Sequence, residues 1–185
     1  MPEGPEVKRT AEGLARAMTN KTLTNVEVLS GRYLKEDIGG LADFRASLPI
    51  KVVGAGCHGK FIFALCTNES YIWSTLGMTG YWNSEGGEYA RVRLDFDDGS
   101  KVFFNDMRNF GTMKFVKGKH EMLKKLKSLG PDMLAQDVPT SVFREALLKK
   151  PEWSIAKALM KQSLVCGVGN YIKADSLWLA KISPK

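Results

Sequence analysis

Apolar residues near the start of the chain recur at the spacing of an amphipathic helix. They stand at i, i+4, i+7, i+8 and i+11, which places them on one helical face: Val7, Ala11, Leu14, Ala15 and Met18. Pro5 lies just before them, and proline is accepted in the first turn of a helix because its missing N–H has no partner there anyway. The pattern predicts a helix that begins near Pro5, immediately after the first few residues of the chain.

Residues 22–116 carry a different pattern, made of short apolar or alternating runs separated by glycine-containing turns. Along residues 90–96, apolar residues alternate with charged ones, which predicts a half-buried strand. The predicted strands cover residues 22–29, 50–53, 61–65, 71–76, 90–96, 101–104 and 111–116. The glycine-rich residues 54–60 predict a loop or bulge, and residues 41–48 a short helix. So many short strands with turn signals indicate a β-sandwich or barrel.

Helical spacing returns after residue 117. One predicted helix ends at Gly130-Pro131, another is capped by Thr140 or Ser141, and two more cover residues 153–160 and 170–180. The composition shifts at residues 131–139, which we interpret as a linker. Because the strands come first and the helices follow, the predicted fold class is α+β.

The composition is typical of globular proteins. The chain has 185 residues, enough to bury a core, and this length predicts one domain or one domain plus a fraction of another. Hydrophobic residues make up 44% of it and charged residues 25%. No stretch approaches the about 18 apolar residues of a membrane span, and the start is too charged for a signal peptide. We therefore expect an intracellular protein with no membrane partner.

The net charge indicates the class of partner, and the cysteine spacing bears on whether the chain holds zinc or disulfides. The formal net charge is +7, with +4 on residues 1–130 and +3 on residues 131–185, so the excess is not confined to a tail. A positive balance fits a polyanion such as nucleic acid. The cysteines Cys57, Cys66 and Cys166 are widely separated and form no C-x-x-C pair. The sequence therefore supports neither a zinc site nor a disulfide framework.

The first six residues hold the candidate chemistry. Met1 precedes a small residue and is normally removed, which leaves Pro2 with a free secondary amine. An α-amino group titrates at about pH 8, and the partial positive charge of a following helix N-terminus favours its unprotonated, nucleophilic form. Glu3 is the neighbouring carboxylate, able to move protons for the group that Pro2 attacks. The alternative is that Met-Pro is an ordinary start and that the acidic residues merely favour the helix N-terminus.

Five short motifs follow in order: Gly59-Lys60-Phe61, Leu76-Gly77-Met78-Thr79-Gly80, Asp106-Met107-Arg108-Asn109-Phe110-Gly111, Leu129-Gly130-Pro131 and Gly167-Val168-Gly169-Asn170-Tyr171. Together with the N-terminus they resemble the formamidopyrimidine-DNA glycosylase/endonuclease VIII family of base-excision repair enzymes, over essentially the whole chain. The resemblance implies an N-terminal helix, a two-layered antiparallel β-sandwich and a helical domain with a helix–two-turn–helix motif. It divides the chain into a catalytic β-sandwich domain (1–130), a linker and helix (131–150) and a partial helix–two-turn–helix DNA-binding domain (151–185).

The resemblance also implies a reaction. A damaged base leaves the duplex before it is cut from its sugar. The Pro2 amine then attacks the sugar C1′ and forms an imine, whose nitrogen makes the 2′ protons acidic, so that β- and δ-elimination break the strand. Glu3 protonates the sugar ring oxygen, and Glu6 supports the catalytic end. The implied protein is a monomeric, bifunctional DNA glycosylase and AP lyase that acts on double-stranded DNA with an oxidised base or an abasic site. It is expected to use no metal and no small-molecule cofactor.

Five residues are implied to contact the DNA. Lys60 is the phosphate- and damage-contacting lysine of the catalytic set, and the alternative is a solvated surface lysine. Met78, Arg108 and Phe110 fill the hole that the extruded nucleotide leaves, and the alternative for the two apolar residues is core packing. Asn170 holds a backbone phosphate at a glycine-preceded helix start, and the alternative is an ordinary helix cap.

The chain ends where the first helix of the family's two-turn motif ends, so we expect a truncated member of the family. The second helix, the finger and the loop over the extruded base have no counterpart in the sequence, and we expect the last helix to expose an apolar face. Two other functions stay open. One is a damaged-DNA-binding module without turnover, and the other is an enzyme that uses its N-terminal proline as a general base, as small tautomerases do. The preferred oxidised base also stays open.

Overall fold

The computed structural model describes residues 1–135 and 137–184. Gln136, in the predicted linker, and Lys185, in the last predicted segment, lie outside the described residues. Helix α1 (Gly4–Met18) begins where the sequence predicts, with Pro5 in its first turn and Glu3 as its N-cap. Its buried residues are Gly4 and four of the five predicted stripe residues, Val7, Ala11, Leu14 and Met18, whereas Ala15 is only partly buried.

Eight antiparallel strands within the described residues are hydrogen-bonded in one continuous order. They are β1 (Thr22–Val28), β2 (Ile50–His58), β3 (Phe61–Cys66), β4 (Ser70–Thr75), β5 (Gly80–Asn83), β6 (Ala90–Phe96), β7 (Lys101–Asp106) and β8 (Thr112–Lys117). The order is β5-β7-β6-β1-β2-β3-β4-β8. A short contact joins β1 to β2, through Thr22↔Lys51 and Leu23↔Ile50, and it divides the sheet into two four-stranded halves. A 3₁₀ turn (Gly31–Leu34) and helix α2 (Leu41–Ala46) connect these two strands.

One hydrophobic core lies between the two halves of the sheet and α1. Leu23 and Leu94 enter it from the first half, Ile62 and Ile72 from the second, and Met18 from the helix. Each such side chain stabilises the fold by about 1.5–3 kcal/mol when it is fully buried. The predicted α+β class, with an N-terminal helix, an antiparallel sheet and helices after it, is confirmed.

Two segments are strands although their sequences do not predict it. β2 continues through residues 54–58, where we expected a loop or bulge, and it stays paired with β3 up to His58↔Phe61. A register shift at the start of this segment is the bulge. Residues 80–83 form β5, which pairs with β7. Both segments are extended because a neighbouring strand supplies hydrogen-bond partners, and this overrides weak local propensity.

Four helices follow the strands within the described residues: α3 (Lys119–Lys127), α4 (Thr140–Leu148), α5 (Ile155–Met160) and α6 (Asn170–Leu179). The last two helices and the loop between them form a second, smaller core from Ala158, Leu159, Leu164, Val165, Val168 and Leu177. The predicted cap of α4 is wrong, because Pro139 is the N-cap residue and no side chain caps the helix there. Trp153 precedes α5, which begins two residues later than we expected.

The last helix exposes apolar side chains, as the sequence predicts. Trp178 is 78% exposed and Leu179 is 72% exposed. None of the helices in residues 1–135 and 137–184 combines the length and the hydropathy that crossing a bilayer requires.

Candidate functional site

A cavity of about 390 Å³ opens between the first residues of the chain, strands β3 and β4, and the loop before α6. Pro2, Lys60 and Met78 all line this cavity, which we call the central cleft. Three residues from three separate sequence motifs therefore meet at one opening. Much of the remaining wall is apolar, with contributions from Phe61 and Leu76.

Glu3, next to Pro2, is buried, with 1% of its surface exposed. Its carboxylate accepts three backbone hydrogen bonds at the start of α6. Oε2 accepts from the N–H of Gly169 at 2.8 Å and of Ile172 at 3.1 Å, and Oε1 accepts from the N–H of Tyr171 at 2.9 Å. These N–H groups and the positive end of the helix stabilise the negative charge in a buried place. The carboxylate thereby fixes the start of α1 against the start of α6.

Glycine at position 169 is required by the approach of Glu3. The backbone there is extended, a conformation that any residue adopts, but a Cβ would collide with the Glu3 carboxylate. The glycine that the sequence places before this helix thus makes room for a side chain from the other end of the chain.

A second close approach packs the turn that carries Lys60 against the loop before α6. Gly59 has φ +58°, in the left-handed region that favours glycine, and a Cβ on it would meet Cys166. Its N–H donates to the buried carboxylate of Asp132 at 2.8 Å. The turn that carries Lys60 is therefore packed directly against the loop before α6, and both border the central cleft.

Glu6 completes the connection between α1 and α6. Its Oε2 accepts the N–H of Glu3 at 2.9 Å, and its two oxygens accept the hydroxyl of Tyr171 at 3.0 and 3.1 Å. Desolvation raises the pKa of Glu6, but the hydrogen bonds from Glu3 and Tyr171 outweigh it and leave the pKa below its ordinary value. Glu6 therefore stays ionised at neutral pH.

Lys60 is half buried at the edge of the central cleft. Burial lowers the pKa of its ammonium, and the negative charge of Glu3 opposes that effect. Within residues 1–135 and 137–184 no acceptor is hydrogen-bonded to the Lys60 ammonium. Among those residues it also has no salt-bridge partner, so its positive charge at the central cleft is available to an anion.

Met78, Arg108 and Phe110 form one cluster on the surface. A guanidinium nitrogen of Arg108 lies 3.3 Å from the Met78 sulfur, and the guanidinium carbon lies 4.8 Å from the centre of the Phe110 ring. Met78 is 42% exposed and Phe110 is 54% exposed. The alternative that these two side chains fill the core is therefore wrong, because the turns that carry them hold them outside it.

Asn170 is the first residue of α6, and the N-cap is Gly169. The interpretation of Asn170 as an ordinary helix cap is therefore wrong. Its side chain is exposed and accepts a hydrogen bond from the Lys173 ammonium at 3.0 Å. Three backbone N–H groups at this helix start are not available to a phosphate. The N–H groups of Gly169, Tyr171 and Ile172 already donate to Glu3.

Gln162 is a structural residue of the site that the sequence does not reveal. Its Oε1 accepts the N–H of Gly167 at 2.9 Å, and its Nε2 donates to the carbonyl oxygens of Val168 at 2.9 Å and Met160 at 3.2 Å. The amide holds the glycine loop in the shape that presents α6 to Glu3. A single glutamine in a loop gives no pattern from which this role could be inferred.

Two other polar residues of the central cleft have structural partners. Nε2 of His58 is hydrogen-bonded to the carbonyl oxygen of Gly130 at 2.8 Å. Burial raises the pKa of the Cys166 thiol to about 11, so it is a neutral thiol rather than a nucleophilic thiolate at neutral pH. In residues 1–135 and 137–184 no three histidine, cysteine, aspartate or glutamate side chains are grouped to hold a metal ion.

Two family models match the chain in sequence. The model of the formamidopyrimidine-DNA glycosylase N-terminal domain matches residues 1–113, and that of the formamidopyrimidine-DNA glycosylase H2TH domain matches residues 129–185. The first match alone covers more than half of the chain.

Bacterial relatives match along the full length of the chain. A protein of Streptococcus pneumoniae serotype 4 is 33% identical over 191 residues, a match that covers 100% of this chain and 68% of that protein. A protein of Prochlorococcus marinus strain MIT 9211 is 35% identical over 202 residues, covering 100% of this chain and 70% of that protein. Both relatives are named formamidopyrimidine-DNA glycosylase.

Solved structures of the Lactococcus lactis formamidopyrimidine-DNA glycosylase share the fold. One, bound non-covalently to DNA that contains an abasic site, superposes with a TM-score of 0.84 at 25% identity, over 98% of this chain and 71% of that chain. Another, in complex with DNA that contains N7-benzyl-Fapy-dG, has a TM-score of 0.84 at 25% identity, over 99% of this chain and 69% of that chain.

Proposed function

The chain belongs to the formamidopyrimidine-DNA glycosylase family, and from this premise we propose that it is a bifunctional DNA glycosylase and AP lyase. The proposed substrate is double-stranded DNA with an oxidised base or an abasic site, and the proposed active form is a monomer. The observation that carries the proposal is the meeting of Pro2 and Lys60 at the central cleft, with the buried carboxylate of Glu3 beside them.

The proposed nucleophile is the secondary amine of Pro2 after Met1 has been removed. Met1 is 52% exposed, so a peptidase reaches it without unfolding the chain. The proline nitrogen bonds to C1′ of the deoxyribose, and the bond between C1′ and the damaged base breaks. The sugar ring then opens as O4′ takes a proton, which leaves an iminium at C1′. Loss of a 2′ proton expels the 3′ phosphate, and a second elimination expels the 5′ phosphate.

Glu3 is the proposed proton carrier for O4′ and for the elimination steps. Its carboxylate accepts three backbone hydrogen bonds from the start of α6, which fix its position beside Pro2. Oε1 accepts one of these bonds, from Tyr171, and is the oxygen that we propose carries the proton. Glu6 supports this arrangement, because it holds both the Glu3 backbone and the Tyr171 hydroxyl.

The remaining site residues are proposed to hold the DNA. The ammonium of Lys60 binds a phosphate at the lesion, and the exposed side chain of Asn170 contacts another. Met78, Arg108 and Phe110 enter the duplex where the lesion nucleotide has left it. Unstacking costs about a few kcal/mol per step, and contacts from an apolar wedge and an arginine offset part of this cost.

Borohydride trapping tests the nucleophile. The full chain is incubated with an abasic-site duplex and sodium borohydride, which reduces an iminium to a stable amine, and the adduct is digested and mapped by mass spectrometry. We expect the adduct on Pro2 of a chain that lacks Met1. Pro2→Leu, whose larger side chain leads to retention of Met1, should abolish trapping, whereas the matched Pro5→Ala should leave it unchanged.

Three outcomes would contradict the assignment. An adduct on a chain that retains Met1, or an adduct mapped to Lys60, would reject Pro2 as the nucleophile. Salt-dependent binding of lesion DNA with no adduct on either an abasic or an oxidised-base duplex would reject the enzyme and favour a damaged-DNA-binding module.

A further inference from the structure

We propose that Asp106 is a positioning residue that holds the Met78 turn (residues 77–80) and the Arg108 loop (residues 107–111) together as one rigid wedge. This inference rests on the proposed function, in which both segments enter the DNA duplex. Asp106 ends strand β7 and is 1% exposed, so its side chain lies beneath the wedge rather than on the surface that meets DNA.

The carboxylate of Asp106 contacts both segments at once. Its Oδ1 accepts the hydroxyl hydrogen of Thr79 at 2.5 Å, and its Oδ2 accepts the backbone N–H of Gly111 at 2.7 Å. Thr79 directly follows Met78, and Gly111 directly follows Phe110. Each oxygen thus fixes the residue next to one of the two apolar side chains proposed to enter the DNA.

The hydroxyl of Thr79 connects the two segments directly. It accepts the backbone N–H of Arg108 at 3.0 Å while it donates to Asp106. Because an N–H only donates and an ionised carboxylate only accepts, the hydroxyl accepts from Arg108 and donates to Asp106, so the direction of both bonds is fixed. One oxygen therefore ties the Met78 turn to the Arg108 loop, and the charge of Asp106 strengthens the bond that orients it.

The base of the wedge is anchored from the sheet. Arg91 is 8% exposed, and its Nε donates to the backbone oxygen of Asp106 at 2.8 Å while a second nitrogen donates to the hydroxyl of Ser30 at 2.7 Å. Arg32 donates to the backbone oxygen of Gly111 at 2.7 Å. The loop is thus held on both sides of its tip, and the exposed side chains project from a fixed backbone.

A fixed backbone matters because direct contacts within the exposed cluster are weak. Met78, Arg108 and Phe110 touch one another through a sulfur contact and a cation–π contact on the surface. Insertion into a duplex orders these side chains, and a backbone that is already ordered lowers that cost. Loss of the Asp106 bonds should therefore impair reaction with duplex DNA, in which a hole must be filled, and spare reaction with a single-stranded abasic oligonucleotide, in which no stack is opened.

The test compares Asp106→Asn and Thr79→Val with wild type on the same abasic site in duplex and in single-stranded DNA. The readouts are the single-turnover rate of borohydride-trapped adduct and the fluorescence of 2-aminopurine placed opposite the site. For both variants we expect the duplex rate to fall about tenfold, the equivalent of one charge-assisted hydrogen bond, and the fluorescence change to shrink. The single-strand rate should change less than about twofold on the same scale.

The matched control is Thr24→Val on β1, where an exposed hydroxyl donates to the backbone oxygen of Asp95 at 3.0 Å. It should leave both rates at the wild-type level. Thermal unfolding checks that each variant is folded, and Thr79→Val carries the test if Asp106→Asn is not. Equal loss on the two substrates, or a wild-type duplex rate in Thr79→Val, would overturn the role of Asp106. Absence of any adduct from the wild-type chain would instead reject the proposed function.

Discussion

Glu3 and Asp106 are both buried carboxylates that accept backbone hydrogen bonds, and each joins two separate segments of the chain. Glu3 joins the start of α1 to the start of α6, where its partner Gly169 is 166 residues away in sequence. Asp106 joins the turn between β4 and β5 to the loop between β7 and β8, with partners 27 and 5 residues away. Both make the same type of contact, but their positions relative to the central cleft differ.

The difference in position indicates different roles, in the reaction for Glu3 and in positioning the exposed cluster for Asp106. Glu3 follows the proposed nucleophile, and the N-terminus of α6 balances its charge, so it lies at the proposed place of reaction. Asp106 lies beneath the exposed cluster of Met78, Arg108 and Phe110, and its oxygens are directed to loop groups rather than to the cleft. Although the two carboxylates are equally buried, substitutions at Glu3 and at Asp106 are therefore expected to impair reaction with different DNA substrates.

Paired amide substitutions test this contrast with the largest expected effect. Glu3→Gln should lower the adduct-forming rate at least about 100-fold on both duplex and single-stranded abasic DNA, because an amide carries no proton between steps. Asp106→Asn should lower the rate on the duplex alone. Single-turnover trapping measures both, and Glu12→Gln, exposed on the same helix, is the control. Equal losses on both substrates for both variants would remove the contrast.

A pair of glycine substitutions tests the packing around Glu3. Gly169→Ala should lower the free energy of unfolding by about 2 kcal/mol, because the new Cβ displaces the Glu3 carboxylate from its partners. Gly87→Ala places its Cβ in open space and should change stability by less than about 1 kcal/mol. Urea denaturation measures both variants. Similar values would show that α6 moves freely relative to Glu3.

The depressed pKa of Lys60 predicts a pH dependence of DNA binding. The Lys60 amine must be protonated to attract a phosphate, and burial lowers its pKa. As the pH rises, the affinity for DNA should therefore begin to fall at a lower pH than it would with an exposed lysine. Lys60→Arg should remove this alkaline loss because arginine stays charged. The affinity is measured by titrating a fluorescent abasic-analogue duplex with protein at a series of pH values from neutral to alkaline. Lys51→Arg, at an exposed lysine, is the control. An unchanged profile in Lys60→Arg would contradict the assignment.

The smallest expected effect concerns Glu6 and acid stability. Its pKa is lower in the folded protein than its ordinary value, so on acidification the unfolded state binds the proton first. The stabilisation should therefore be complete above the ordinary glutamate range and should be lost as the pH falls through the folded-state pKa. Glu6→Gln should flatten the acid limb of a plot of unfolding free energy against pH. An acid limb as steep as that of the wild type would show that the acid dependence of stability comes from groups other than Glu6.

Local pattern predicted much of the fold. The stripe from Val7 to Met18 predicts α1, and the alternation along residues 90–96 predicts β6, because contacts with residues a few positions away, or with one face of a sheet, determine such elements. β5 and the second half of β2 could not be predicted in this way. Their strand conformation depends on partners that only folding brings alongside.

The candidate site likewise has residues that the sequence indicates and contacts that only the structure reveals. The sequence by itself indicated Pro2 and Glu3 as candidates and gave the order of the motifs, since residue type and position along the chain are enough to indicate an amine, a carboxylate and a glycine-preceded helix. Only the tertiary structure decided that Glu3 accepts the N–H groups of α6, that Gly169 rather than Asn170 is its N-cap, and that Asp106 lies beneath Met78 and Phe110. Hydrogen bonds between distant segments have no sequence period, because packing of the sheet and helices alone sets which groups meet.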